Sequence, residues 1–212
     1  MCLNRNYRPI LAVVLLSLSP LLAASSLSET IQQDWDQANF GLAGDARKAA
    51  LEELVETCVE AAARQPDDAE LLTWCGIANS SYAGLASSFS AMKYARAARA
   101  MLEKAIDLSP NTLHGAASTS LGTLYFKVPG WPIGFGDNDK ASELLKAGLA
   151  LNPEGIDANY FYADYLLDQG DSAGARQYLE SALEAPKRPG RELADEARRK
   201  EIEALLADID GQ

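Results

Sequence analysis

The sequence predicts an all-α fold. Its apolar residues recur at intervals of three and four rather than two, and strand signals are nearly absent. Pro66, Pro110, Pro153 and Pro186 each close a helical segment. The 212 residues, 48% hydrophobic and 23% charged, suffice for one domain with a buried core. A formal net charge of -11 argues against general nucleic-acid binding, which needs basic surface to displace counterions from phosphates, and favours a basic or neutral partner.

Residues 1–25 read as a signal peptide. Arg5 and Arg8 precede an apolar run from Ile10 to about Leu22, and the small residues Ala23, Ala24, Ser25 and Ser26 follow. The run is short for a bilayer span and Pro20 breaks it, although an uncleaved anchor is the alternative reading. Cys2 has no apolar stretch before it, so it is not a lipidation site of the bacterial type. Cleavage leaves 17 basic against 30 acidic residues, a charge near -13, on a mature chain expected to be periplasmic or secreted and without a membrane span.

Beyond the leader, helices are predicted over 28–40, 45–64, 68–82, 88–108, 112–127, 138–151, 155–169, 172–185 and 190–208. In "RQPDD", Pro66 ends the second and Asp67 or Asp68 caps the third. Cys58 and Cys75 lie at equal distances on either side of this turn, which places them side by side in an antiparallel helix pair. An oxidising compartment then permits a disulfide if both face inward; the alternative is two free cysteines packing as small apolar groups.

The prolines mark an internal repeat. "ARAMLEKAIDLSP", "ASELLKAGLALNP" and "ARQYLESALEAP" superimpose, and each follows a second kind of helix: "AELLTWCGIA", "AASTSLGTLY" and "DANYFYADYLL". Small residues stand in register at Gly76, Gly122 and Ala163, at Ala98, Ala141 and Ala175, and at Ala105, Gly148 and Ala182. Small side chains at these places let paired helices approach closely.

This pattern resembles the tetratricopeptide repeat family, in which helices A and B of each unit meet at such residues and a proline ends the unit. The resemblance implies a right-handed α-α superhelix of three to four helix pairs, with units near 28–66, 67–110, 111–153 and 154–186. The charged helix 189–208 would cap it. Secreted repeat proteins that accompany TRAP-type solute transporters are distantly similar in their signal peptide, degenerate repeats and inserted loops. That likeness implies a ligand pocket and a transporter partner.

Two units depart from the regular spacing. Twelve residues separate Ala163 from Ala175, but 22 separate Gly76 from Ala98 and 19 separate Gly122 from Ala141. "SSYAGLASSFSAMKYAR" and "KVPGWPIGFGDN" are therefore insertions at A-to-B turns, and insertions of neighbouring units emerge at one edge of a solenoid. Pro129 and Pro132 stiffen the second, which suits Trp131 and Phe135 as binding anchors; the competing expectation is that the rings turn inward, at least in part, over the helix ends.

Catalytic chemistry finds little material. His114 is the single histidine, which excludes multi-histidine zinc sites, and the cysteines are better explained as a pair. "DNDK" lacks the glycine and glutamate of a calcium loop and reads as a cap by Asp137 or Asn138, while "GWPIGFG" lacks the lysine of a phosphate loop. No enzyme activity, metal or cofactor is expected. In the repeat family helices A line the concave groove, and the register selects Thr73, Ile77, Thr119, Thr123, Phe126, Lys127, Tyr160 and Asp164, with Glu70, Ser81, Asp157 and Asp168 beside them. The leading expectation is a non-catalytic scaffold that binds a protein or peptide in this groove and along the loop edge. The alternative is a carrier of a small apolar ligand, which demands a closed cavity instead of an open groove.

Overall fold

The computed structural model describes residues 26–211; the predicted signal peptide lies outside the described residues. Among the described residues nine α-helices follow one another: α1 (Leu27–Asp36), α2 (Gly44–Arg64), α3 (Ala69–Ala83), α4 (Ser88–Leu108), α5 (Ala116–Lys127), α6 (Asn138–Leu151), α7 (Ile156–Asp168), α8 (Ser172–Leu183) and α9 (Glu192–Asp210). There is no strand among the described residues. Acceptor side chains start several of the helices. Ser26 and Glu29 form a reciprocal capping box on α1, and Asp68, Asp137 and Asp171 accept from free amides at the starts of α3, α6 and α8.

The pairs α3/α4, α5/α6 and α7/α8 pack closely, as the repeat requires. Gly76 and Gly122 show why. A Cβ on Gly76 would stand 2.6 Å from Leu102 Cγ, and one on Gly122 would stand 2.8 Å from Leu145 Cγ. Both leucines are fully buried, so any larger side chain separates the helices. Three stacked cores result, centred on Leu51 and Leu71, on Leu102 and Leu145, and on Leu179 and Ile202. Cys58 of α2 and Cys75 of α3 are joined in a buried disulfide with Cα atoms 5.3 Å apart.

Two predicted helices are modified. The segment expected over 28–40 ends at Asp36 and continues as a π-helical turn, Gln37–Gly41. The segment expected over 112–127 begins with a tight turn, Thr112–Gly115, in which Leu113 and His114 take left-handed conformations with φ of 50° and 54°. For non-glycine residues this costs roughly 1–2 kcal/mol each. Gly115, at φ 78°, completes the turn and approaches Leu151 too closely for a side chain.

The superhelix also bends back on itself. The connector between α8 and α9 holds Pro186, Pro189 and a left-handed Gly190, and it delivers Arg191 to Asp36, 155 residues away at the end of α1. Arg198 of α9 lies 5.6 Å from the Phe40 ring in the π-helical turn. The predicted terminal cap is thus also a closure: α9 buries Ile202 against α8, and Arg199 donates to the carbonyls of Leu183 and Ala185 at the end of α8.

Candidate functional site

The closure turns the concave side of the solenoid into a cavity of about 560 Å³. Helices α1, α3, α5 and α7 form its walls, with α9 and the connector before it across one side. Trp35, Trp74, Ile77, Leu124 and Phe161 make most of the lining apolar, and the strained pair Leu113 and His114 completes the rim. Its volume lies within the range of roughly 300–1,000 Å³ typical of small-molecule sites.

One pole is ionic. Asp157, in the first turn of α7, accepts from Arg188 Nη1 at 2.6 Å and from Arg198 Nε at 2.9 Å. Arg188 also donates through Nε to Asp195 Oδ1 at 2.7 Å. Burial pushes the Asp157 carboxyl up, but the fields of Arg198, Arg188 and Arg191 and the hydrogen bond from Arg188 outweigh it and hold the group well below the usual carboxylate range. Burial likewise pushes the Arg188 and Arg198 guanidiniums down, and Asp157, together with Asp195 at Arg188 and Glu201 at Arg198, more than reverses this. Arg191 forms a fork to Asp36, with Nε to Oδ2 at 2.9 Å and Nη2 to Oδ1 at 2.6 Å. Its guanidinium lies 4.9 Å from the Trp74 ring and 5.8 Å from the Trp35 ring. The ion pair and the apolar wall are therefore one construction: the same arginine latches the ends of the chain and covers both indoles.

The residues selected by repeat register divide into groups. Ile77, Ser81, Thr119, Thr123, Lys127 and Asp157 line the cavity. Asp164 pairs with Lys127 Nζ at 2.9 Å. Thr73 is fully buried and its hydroxyl donates to the Ala69 carbonyl at 2.7 Å, so it presents nothing to a ligand. Phe126 points into the core against Tyr165, 5.6 Å between rings. Tyr160 underlies Arg198, 4.1 Å from ring to guanidinium, and supports that arginine rather than the cavity wall. The loop residues also part company. Phe135 packs inward against Tyr125 and beneath Arg99, whereas Trp131 is 90% exposed. The two readings of the loop thus divide between its rings: Phe135 turns inward over the helix ends, and Trp131 is presented outward. Gly134 and Gly136 amides fold the loop back onto the Gly130 and Pro129 carbonyls, which leaves Trp131 at the outer tip. Ile133 and, on the other inserted loop's side, Phe89 are exposed as well.

Trp35, Trp74, Phe161 and the three arginines lay beyond the reach of repeat register. The first comes from the helix preceding the regular units, and the arginines come from the chain end that folds back. Among the described residues no cluster of histidine, cysteine, aspartate or glutamate could hold a metal ion, and no helix is long and apolar enough to cross a membrane.

The sequence pattern of the TRAP transporter T-component family matches residues 31–211. The chain belongs to that family. A solved structure with a similar fold is TTC0263, described as a thermophilic tetratricopeptide repeat protein of Thermus thermophilus, at 17% identity, over 84% of this chain and 96% of the other, with a TM-score of 0.57. MamA is found at 18% identity, over 77% of this chain and 96% of the other, with a TM-score of 0.34. No curated protein sequence matches. The chain is thus a member of the T-component family with a tetratricopeptide-like helical fold.

Proposed function

We propose that this T-component is a periplasmic, non-catalytic accessory of TRAP-type transport that holds a small, predominantly apolar ligand in its central cavity. The observation that carries the proposal is the closure of the groove. With Arg191 latched to Asp36, the connector and α9 wall one side of the concave face, which leaves a partly enclosed, mainly apolar space with less room for an extended peptide than an open groove gives. Family membership supplies the transport context, and the leader read from the sequence supplies the compartment.

A protein partner has its own supporting observation. Phe89, in the first turn of α4, is 99% exposed, and Trp131 and Ile133, on the second inserted loop, are 90% and 67% exposed. The second loop packs on α4, where Phe135 lies under Arg99 and Met92 stands against Gly134. Exposed aromatic groups at one edge suit a docking contact with another component of the transport system.

Native mass spectrometry of the protein purified from its own host tests the ligand reading. A bound small-molecule mass that denaturation releases is the expected result. A bare chain at the apo mass, from cells actively transporting, would overturn it.

A further inference from the structure

We infer that the cavity selects an uncharged, mainly apolar ligand bearing a hydrogen-bond-accepting oxygen, lodged against Trp74 and Ser80. This rests on the reading of the cavity as a ligand site and names the chemistry that the site would accept.

Charge balance supplies the first observation. The four cations of the wall already have carboxylate partners. Lys127 pairs with Asp164 and Arg191 with Asp36, Arg188 pairs with Asp195, and Arg198 meets both Asp157 and Glu201. Five carboxylates stand against four cations, so the arginines offer an incoming anion no uncompensated positive charge. An anion would have to be desolvated and would compete with internal partners already in place. A cation would have to be desolvated as well, and each carboxylate of the pole is already held by a guanidinium or by Lys127.

Unmet donors supply the second. Trp74 Nε1 and Ser80 Oγ, both on residues of the wall, are buried without a hydrogen-bond partner among the described residues. Trp74 itself is 5% exposed. Buried polar groups are nearly always paired, and an indole N–H can only donate. The neighbouring indole shows the satisfied arrangement: Trp35 Nε1 donates to Ser81 Oγ at 2.9 Å. One tryptophan of the wall is completed by the protein and the other is not. A carbonyl or ether oxygen accepts from Trp74 or from Ser80 without adding charge, and its hydrocarbon remainder fits the wall of Ile77, Leu124 and Phe161.

Isothermal calorimetry of the purified protein with 2-octanone, octanoate and octylammonium compares three probes of similar chain length. The ketone is expected to bind about tenfold or more tightly than either ion. Trp74→Phe and Ser80→Ala are made separately and checked for an unchanged helical circular dichroism spectrum, and at least one of them is expected to weaken the ketone several-fold. Octanoate or octylammonium binding as tightly as the ketone overturns the inference and leaves the ligand reading intact. Ketone affinity unchanged in both variants also overturns it. Binding of none of the three probes to protein freed of any co-purified ligand overturns both.

Discussion

Replacing Arg191 with alanine probes the latch that converts a groove into a cavity. The Arg191 and Asp36 side chains are 13% and 9% exposed, and their fork of two hydrogen bonds at 2.9 and 2.6 Å spans the two ends of the chain. Removing one partner of such a buried pair leaves a desolvated charge, at a cost of about 3–5 kcal/mol. Loss of the stacking on Trp74 adds roughly 0.5–2 kcal/mol. At a urea dependence of about 1–3 kcal/mol per molar, a loss near 3 kcal/mol moves the unfolding midpoint by about 1–3 M. The variant should also red-shift the emission of Trp35 and Trp74, whose cover it removes. Arg191→Met combined with Asp36→Leu should recover most of the lost stability, because no charge is left unpaired. A loss below about 1 kcal/mol with unchanged emission is the behaviour of an exposed surface pair and would refute the latch.

Opening the Cys58–Cys75 disulfide, which joins residues 17 apart, is expected to cost about 3 kcal/mol, read as the difference between urea unfolding curves with and without reductant. Gly122→Val forces a side chain against Leu145 and the Ala141 carbonyl; it should lower stability by roughly 1–3 kcal/mol, measured by thermal unfolding. Asp157 has a depressed folded-state pKa, so its contribution is fully present above the unfolded carboxylate value near 4 and fades as pH falls toward its lower folded value. Stability curves from pH 7 downward should therefore fall below about pH 4 in the native protein, and less steeply in Asp157→Asn. Trp131→Ala, at the exposed loop tip, should leave stability within about 0.5 kcal/mol while weakening retention of the transport partner on an affinity column.

Much of the fold was legible because small residues and prolines mark helix pairs directly. Gly76 and Gly122 sit where leucines of the partner helices press hardest, and capping aspartates stand at the predicted starts of α3 and α6. Symmetry about a single turn put Cys58 and Cys75 side by side but did not by itself distinguish a bridge from two free packing cysteines; the structure joins them. The turn at Leu113 and His114 was hidden, since its left-handed backbone falls on residues that carry no such preference. The candidate site was only half legible. Repeat register finds residues on the inner face of helices A, which gave Ile77, Thr119, Thr123 and Lys127, but it cannot tell a cavity wall from a core, and so Thr73 and Phe126 were selected with them. Nor does local periodicity report a contact across 155 residues. "KRPGRE" reads as an ordinary charged connector until Asp36 is seen opposite it. The one hint was compositional: Pro186, Pro189 and Gly190 form an unusually stiff turn for a chain end.

A ligand held in the cavity, as proposed, would be displaced by filling the space it occupies. Thr123 lines the cavity from α5, and a tryptophan there would occupy the space with little disturbance to the helix pairs. Solvent extraction of purified wild type and Thr123→Trp, followed by mass spectrometry, should recover one small molecule in stoichiometric amount from the wild type and little from the variant. Equal recovery from the two proteins, or none from either, would contradict the account.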